Sequence, residues 1–144
     1  APTDATTAAG PPDTAAAPAP TGAICDTVPS LETIGAIVGA AVTTVTDLSQ
    51  PGSEKCEVTG ADLALAIFER FDLETGAALL AVAETADFTD PALPGAVAWA
   101  NGMMVEHNGA YWYATAITAA TVGVMDAPEA YEASSALLRA WIGA

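Results

Sequence analysis

A chain of 144 residues fits one domain, and a single core of that size is stable without a metal or a partner chain. Three basic residues, Lys55, Arg70 and Arg139, stand against eighteen acidic ones, a formal charge of −15 that repels nucleic-acid phosphates and anionic lipid headgroups alike. The mean hydropathy of +0.39 comes from alanine, not from any run near the roughly 18 apolar residues of a spanning helix, so no transmembrane segment is expected.

Residues 1–22 contain only Ala, Pro, Thr, Gly and Asp. A segment with so little to bury cannot offset its ordering entropy, and it is expected to be a disordered linker ahead of one α+β domain at 23–144. Ala/Pro/Thr stretches of this kind often separate an exported domain from a lipid anchor or a cell wall; an inert terminus is the plainer alternative. No initiator Met or charged-then-apolar leader opens the chain, which reads as a processed mature form or a trimmed piece.

Cys25 and Cys56 are the two cysteines, with no CxxC or Cys/His cluster beside them, which leaves zinc without a ligand set. In an exported chain they most simply form one disulfide, stabilising by roughly 3.5 kcal/mol in the chain-entropy treatment. The alternative is two separate buried thiols in a reducing compartment.

Residues 29–39, PSLETIGAIVG, predict a short helix capped by Ser30 and stopped by Gly39, with Leu31, Ile34, Ile37 and Val38 on its core face. AVTTVTD at 41–47 predicts a strand, SQPGSE at 49–54 a turn, and a second strand follows near Cys56. In 62–71 Leu63, Leu65 and Ile67 alternate with Ala64, Ala66 and Phe68, a third strand whose aliphatic side is expected inward, although Ala and Leu also favour helix. The pattern from Asp72 onward, with Leu73, Leu79, Leu80 and Val82, predicts a helix that TDPALPG at 89–95 breaks. Residues 126–144 predict the clearest helix: Asp126 and Glu129 have capping-box spacing, Pro128 sits in the first turn, and Tyr131, Leu137, Leu138, Trp141 and Ile142 form its apolar stripe. The whole predicts an α+β fold: an antiparallel sheet of about four to five strands with about three helices mainly on one face.

Between the last two helices lies 102-GMMVEHNGAYWYATAI-117, in which Asn108-Gly109 predicts a two-residue type I′ turn and so a register. His107 pairs Ala110, Glu106 pairs Tyr111, Val105 pairs Trp112, Met104 pairs Tyr113 and Met103 pairs Ala114. Met103, Val105, Trp112, Ala114 and Ala116 then share a side without charge, the expected core. Met104, Glu106, Tyr111, Tyr113, Thr115 and Ile117 share the other. Met103 and His107 stand roughly 13 Å apart along the strand, which disperses what looked like a Met/His metal cluster.

The combination of 25-CDTVPSLETIGAIVG-39, a second cysteine opening a strand at Cys56, PGAVAWANG at 94–102, a hairpin and a C-terminal helix resembles a family of actinobacterial secreted lipoprotein domains of unknown function. The resemblance covers about residues 24–144. It implies an exported, often lipid-anchored domain with one Cys25–Cys56 disulfide, and it carries no activity. Glu57-Val58 follows the second cysteine where that family frequently has an aromatic residue.

Catalytic constellations are missing from the sequence. There is one histidine, no Gly-x-Ser-x-Gly elbow and no Gly-rich phosphate loop. Asp87 and Asp90 lie in DFTDP without the acidic spacing of a calcium loop, so an ordinary turn is expected. The expectation is therefore a non-enzymatic acidic binding module, without cofactor or metal, outside the cytoplasm or on the outer face of the cell membrane, with a lipid anchor upstream. Its ligand-binding candidates are Tyr111, Tyr113, Phe68 and Arg70, gathered on one sheet face for an envelope protein, a lipid or a glycan. An accessory subunit of a cell-envelope complex is the alternative and a carboxylate-based hydrolase the third reading.

Overall fold

The computed structural model describes residues 23–61, 64–118, 121, 124 and 127–143. The expectations for the 1–22 linker and for the Asp126 cap fall outside them. Among the described residues the chain runs α1 (Ala23–Thr27), α2 (Leu31–Val38), β1 (Val42–Asp47), β2 (Ser53–Gly60), β3 (Leu65–Asp72), α3 (Leu73–Val82), β4 (Thr85–Ala86), β5 (Val97–Trp99), β6 (Gly102–His107), β7 (Ala110–Ile117) and α4 (Pro128–Ile142). The strands form one antiparallel sheet in the order β1-β2-β3-β7-β6-β5-β4. The α+β class stands, with a larger sheet than expected.

Local chemistry sets the element ends. Ser30 Oγ accepts the Thr33 N–H and Gly39 closes α2 in the left-handed region at φ 81°, both as expected. Asp72 caps α3 in the same way, its carboxylate accepting the Thr75 N–H. The cap of α4 is Ala127, which makes no side-chain bond, and Pro128 supplies the first turn. Asn108 (φ 50°) and Gly109 (φ 80°) form the β6–β7 turn, and all five pairs expected across that hairpin are present.

Helices α1, α2 and α4 cover one face of the sheet. There Ile24, Ile34, Val38, Leu137, Leu138 and Tyr131 pack on Cys56, Val58, Ala66, Phe68, Ala98, Met103, Ala114 and Ala116. Four alanines on the sheet side let the helix backbones come close, and larger residues fill the gaps between. The expected stripe of α4 is buried, except that Ile142 is only partly covered, and Leu31 of α2 is exposed. Ser134 and Ser135, also in α4, are buried; Ser134 Oγ accepts the Ala116 N–H and donates to the Asn101 carbonyl, tying the helix to the sheet and to the β5–β6 turn.

Cys25 and Cys56 form a disulfide that joins α1 to β2. The helix after Asp72 is shorter than expected, ending at Val82, and among the described residues it is the one helix on the opposite side of the sheet, where Leu79 and Leu80 pack on Phe71, Met104 and Tyr113.

Candidate functional site

The four ligand-binding candidates do not share a surface. In β3 and β7, Phe68 pairs with Ala114 and Arg70 with Trp112, whereas Glu69 pairs with Tyr113 and Phe71 with Tyr111. Because paired residues point to the same side, Phe68 and Arg70 face the three-helix layer and Tyr111 and Tyr113 face α3. The expectation that the aliphatic side of this strand turns inward is thereby corrected: Ala64, Ala66 and Phe68 are buried, while Leu65 and Ile67 sit half-buried on the α3 side.

Phe68 is fully buried against Trp141, ring centroids 5.2 Å apart and nearly perpendicular. The Arg70 guanidinium lies over the Trp112 ring at 5.0 Å, and its Nε donates to Glu54 Oε1 at 2.6 Å. Trp112 also meets Trp141 at 4.6 Å and the edge of His107 at 5.2 Å, and its Nε1–H is held by the His107 carbonyl. Arg70 is thus spent on an ion pair and a ring inside this cluster, and the Trp112–Trp141 contact holds the hairpin end of the sheet against α4.

Tyr113 is 6% exposed. Its hydroxyl donates to the carbonyls of Trp99 and Ala100, and burial pushes its pKa up to about 12. These contacts brace the β5–β6 turn, where Ala100 and Asn101 both have positive φ, the backbone of a type I′ turn without a glycine in it. Gly102 makes room for the tyrosine: a Cβ there would lie 2.5 Å from both Cζ and the hydroxyl oxygen. Tyr111 is half-buried under α3, and a Cβ on Gly76 would come within 2.2 Å of its ring. Gly76 therefore sets how closely α3 can lie on the sheet.

Among the described residues no helix covers the half of this face nearer β1. Leu65 stands opposite Ile117 across the β3–β7 pair and beside Thr59 of β2, and Ile67 stands between Thr115 and Glu57. Leu65, Ile67 and Ile117 are all half-buried, a small apolar strip bordered by Lys55, Glu57, Thr59 and Glu69.

Glu69 is opposite Lys55 in the register. Burial raises its pKa above the usual carboxylate range, and the Lys55 charge opposes part of that rise. The folded protein therefore binds this proton more tightly than the unfolded chain. Its favourable contribution is fully present below the unfolded pKa and is lost as pH rises through the folded one. Glu69→Gln should accordingly raise the urea midpoint at about pH 7 and give no gain at about pH 4. An equal gain at both values would show that the carboxylate charge is not what burial penalises.

Asp90, in the turn before β5, accepts the Ala92 N–H and the Ser135 hydroxyl and lies 3.0 Å from Arg139. These partners hold its pKa below the usual range, the Ser135 bond most of all. Its oxygens serve a turn and a helix contact. Among the described residues no three His, Cys, Asp or Glu side chains converge as a metal site would require. No helix among them is long and apolar enough to cross a membrane.

Comparison of the chain with protein-family models, with curated proteins and with solved structures finds no match.

Proposed function

We propose that this chain is a non-catalytic binding domain of the cell envelope, working outside the cytoplasm on a tether, and that it recognises a protein partner on the half of the sheet face beside α3. The observation that carries this reading is the strip of Leu65, Ile67 and Ile117, apolar at its centre and rimmed by Lys55, Glu57, Thr59 and Glu69. A small apolar centre with a polar border is the anatomy of a protein-recognition surface. Tyr111 and Tyr113 belong to the same side and support its margin from beneath α3. The disulfide supports an oxidising compartment, and the resemblance to secreted lipoprotein domains supports export and anchoring.

The surface fits a protein better than the other ligand classes considered. A glycan platform needs an open aromatic face, and Tyr113 is covered; an anionic lipid surface is opposed by the charge of −15. The accessory-subunit reading draws on Leu73 and Val82 of α3, exposed by 43% and 80%, which would extend the apolar area.

Ile67→Arg is the test. The charge is tolerated at a half-exposed position but disrupts an apolar interface centre, so native crosslinking on the cell envelope should recover a partner with wild type and at least about tenfold less with the variant, at unchanged thermal stability. Equal recovery would remove this face from the binding reading.

A further inference from the structure

The sheet ends at β1, whose outer edge no strand covers among the described residues. Leu48 N–H bonds to the Lys55 carbonyl, and Leu48 and Lys55 continue the register in which Thr46 meets Glu57 and Val45 meets Val58. In an antiparallel ladder bonded and non-bonded pairs alternate, so Thr46 turns its N–H and C=O toward β2 and Val45 turns its own outward. Protein edges of this kind are normally blunted by Lys, Pro or very short length. At the opposite end of the sheet β4 has two residues; β1 has six, VTTVTD, without Lys or Pro, and its bulge at Val42–Thr44 and its acidic Asp47 lie to either side of Val45.

Apolar side chains gather along the same edge. Val45 and Leu48 are 43% and 41% exposed, and Leu31 of α2 is 37% exposed. Leu31, Glu32, Gly35, Ala40, Ala41 and Val42 line an open groove of about 310 Å³ between α2 and the start of β1. The side-chain pockets that a guest strand would meet are thus of two kinds. On the helix side lie Leu31, the groove and Val45, apolar but for Glu32 and for Asp47 at the far end of the strand; on the other side lie Thr44 and Thr46, with Glu57 beside them on β2. Of the three cations, Arg70 pairs with Glu54 and Arg139 with Asp90, while Lys55, on β2 beside Leu48, stands opposite Glu69 across the β2–β3 pair.

We propose that the β1 edge is a strand-addition site that takes an extended segment of a partner protein in which apolar residues alternate with lysine or arginine. The added strand continues the ladder through the outward N–H and C=O of Val45. Its apolar side chains enter the helix side against Val45 and Leu31, and its cations, on the opposite side, face Glu57 of β2. A second copy of this chain offers the same backbone edge but not the charge, since it brings a second net −15. This site shares Glu57 with the rim of the Leu65, Ile67 and Ile117 strip but is built on the β1 backbone edge, and it does not require that strip to bind a partner.

The test is a nuclear magnetic resonance titration of the full chain with a blocked seven-residue peptide of alternating valine and lysine, beside one with glutamate in place of lysine. The expected result is shifts confined to residues 31–48 and their β2 neighbours, a sub-millimolar Kd for the lysine peptide at about 20 mM salt that weakens toward 150 mM, and at least about tenfold weaker binding of the glutamate peptide. Val45→Pro removes an outward N–H that β2 does not use, so it should abolish binding and preserve the other sheet resonances. Should that variant fail to fold, the lysine peptide N-methylated on its pairing edge should fail to bind wild type. Ile117→Arg, on β7 and away from Glu57, should bind the peptide normally, which separates this site from the sheet face. No binding at about 2 mM, equal affinity for both peptides, or undiminished binding by Val45→Pro or the N-methylated peptide would overturn the proposal. So would a concentration-dependent dimer of the chain that Val45→Pro dissolves, which would give the edge to a second copy.

Discussion

Phe68→Ala is expected to destabilise the protein by about 3–5 kcal/mol, read as a lowered urea midpoint at unchanged slope. The ring is fully buried where three elements meet: Cys56 of β2 on one side, Ala114 of β7 on the other, and Trp141 of α4 edge-on above it. Neither neighbouring strand can fill the space, because its facing residue is small or tied into the disulfide. The substitution also decides between two roles for this residue. A residue that met a ligand on an open face would lose binding and keep its stability, so a change below about 1 kcal/mol would return Phe68 to the surface.

The second large effect belongs to the disulfide. Replacing Cys25 and Cys56 together by alanine should cost about 3.5 kcal/mol, the loop-closure entropy of a link spanning 31 positions. The loss has a structural focus. Five-residue α1 is far too short to hold its helix alone, and besides the disulfide it is fixed by the fully buried Ile24 and by Thr27, whose hydroxyl accepts the Trp141 indole N–H. Without the link α1 should fray and wet one edge of Trp141, so tryptophan emission should shift to the red before the main unfolding transition. Native-like emission together with an unchanged midpoint would show that Ile24 and Thr27 hold α1 by themselves.

How far the sequence foretells this arrangement depends on which physical signal each part carries. Asn108-Gly109 admits essentially one hairpin turn, and the register followed residue by residue. Ser30 and Gly39 are strong helix punctuation, and they were legible for the same reason. The strands β4 and β5, two and three residues long and rich in alanine, have no alternation long enough to read. The β5–β6 turn at Ala100-Asn101 was hidden as well, because its left-handed backbone is held from outside, by the Tyr113 hydroxyl and by Ser134 of α4.

The candidate site failed to assemble at a more instructive point. Alternation in β3 separates Leu65 and Ile67 from Ala66 and Phe68, but it does not say which side the helices choose. They chose the side whose small residues admit close packing, where Ala66, Ala98, Ala114 and Ala116 of three strands face the helices. That decision is made by residues distant in sequence. The covering of Tyr111 did have a local signal: α3 begins directly at Asp72 with no loop, and it carries a glycine in its second turn. A helix that follows a strand so closely must fold back onto that sheet, and the small residue marks where it lands.

The sheet is two runs of neighbouring strands, β1 to β3 and β4 to β7, joined along the single pairing of β3 with β7. Within each run every strand meets its sequence neighbour, whereas the joining pair brings Leu65 to Ile117, 52 positions on (117 minus 65). Loop-closure entropy must be met there before any contact rewards it, so formation of this seam is expected to be the slow step of folding. The disulfide lies wholly on the first side of the seam, with both cysteines before β3. It steadies one half of the molecule and leaves the search for the other half as long as before.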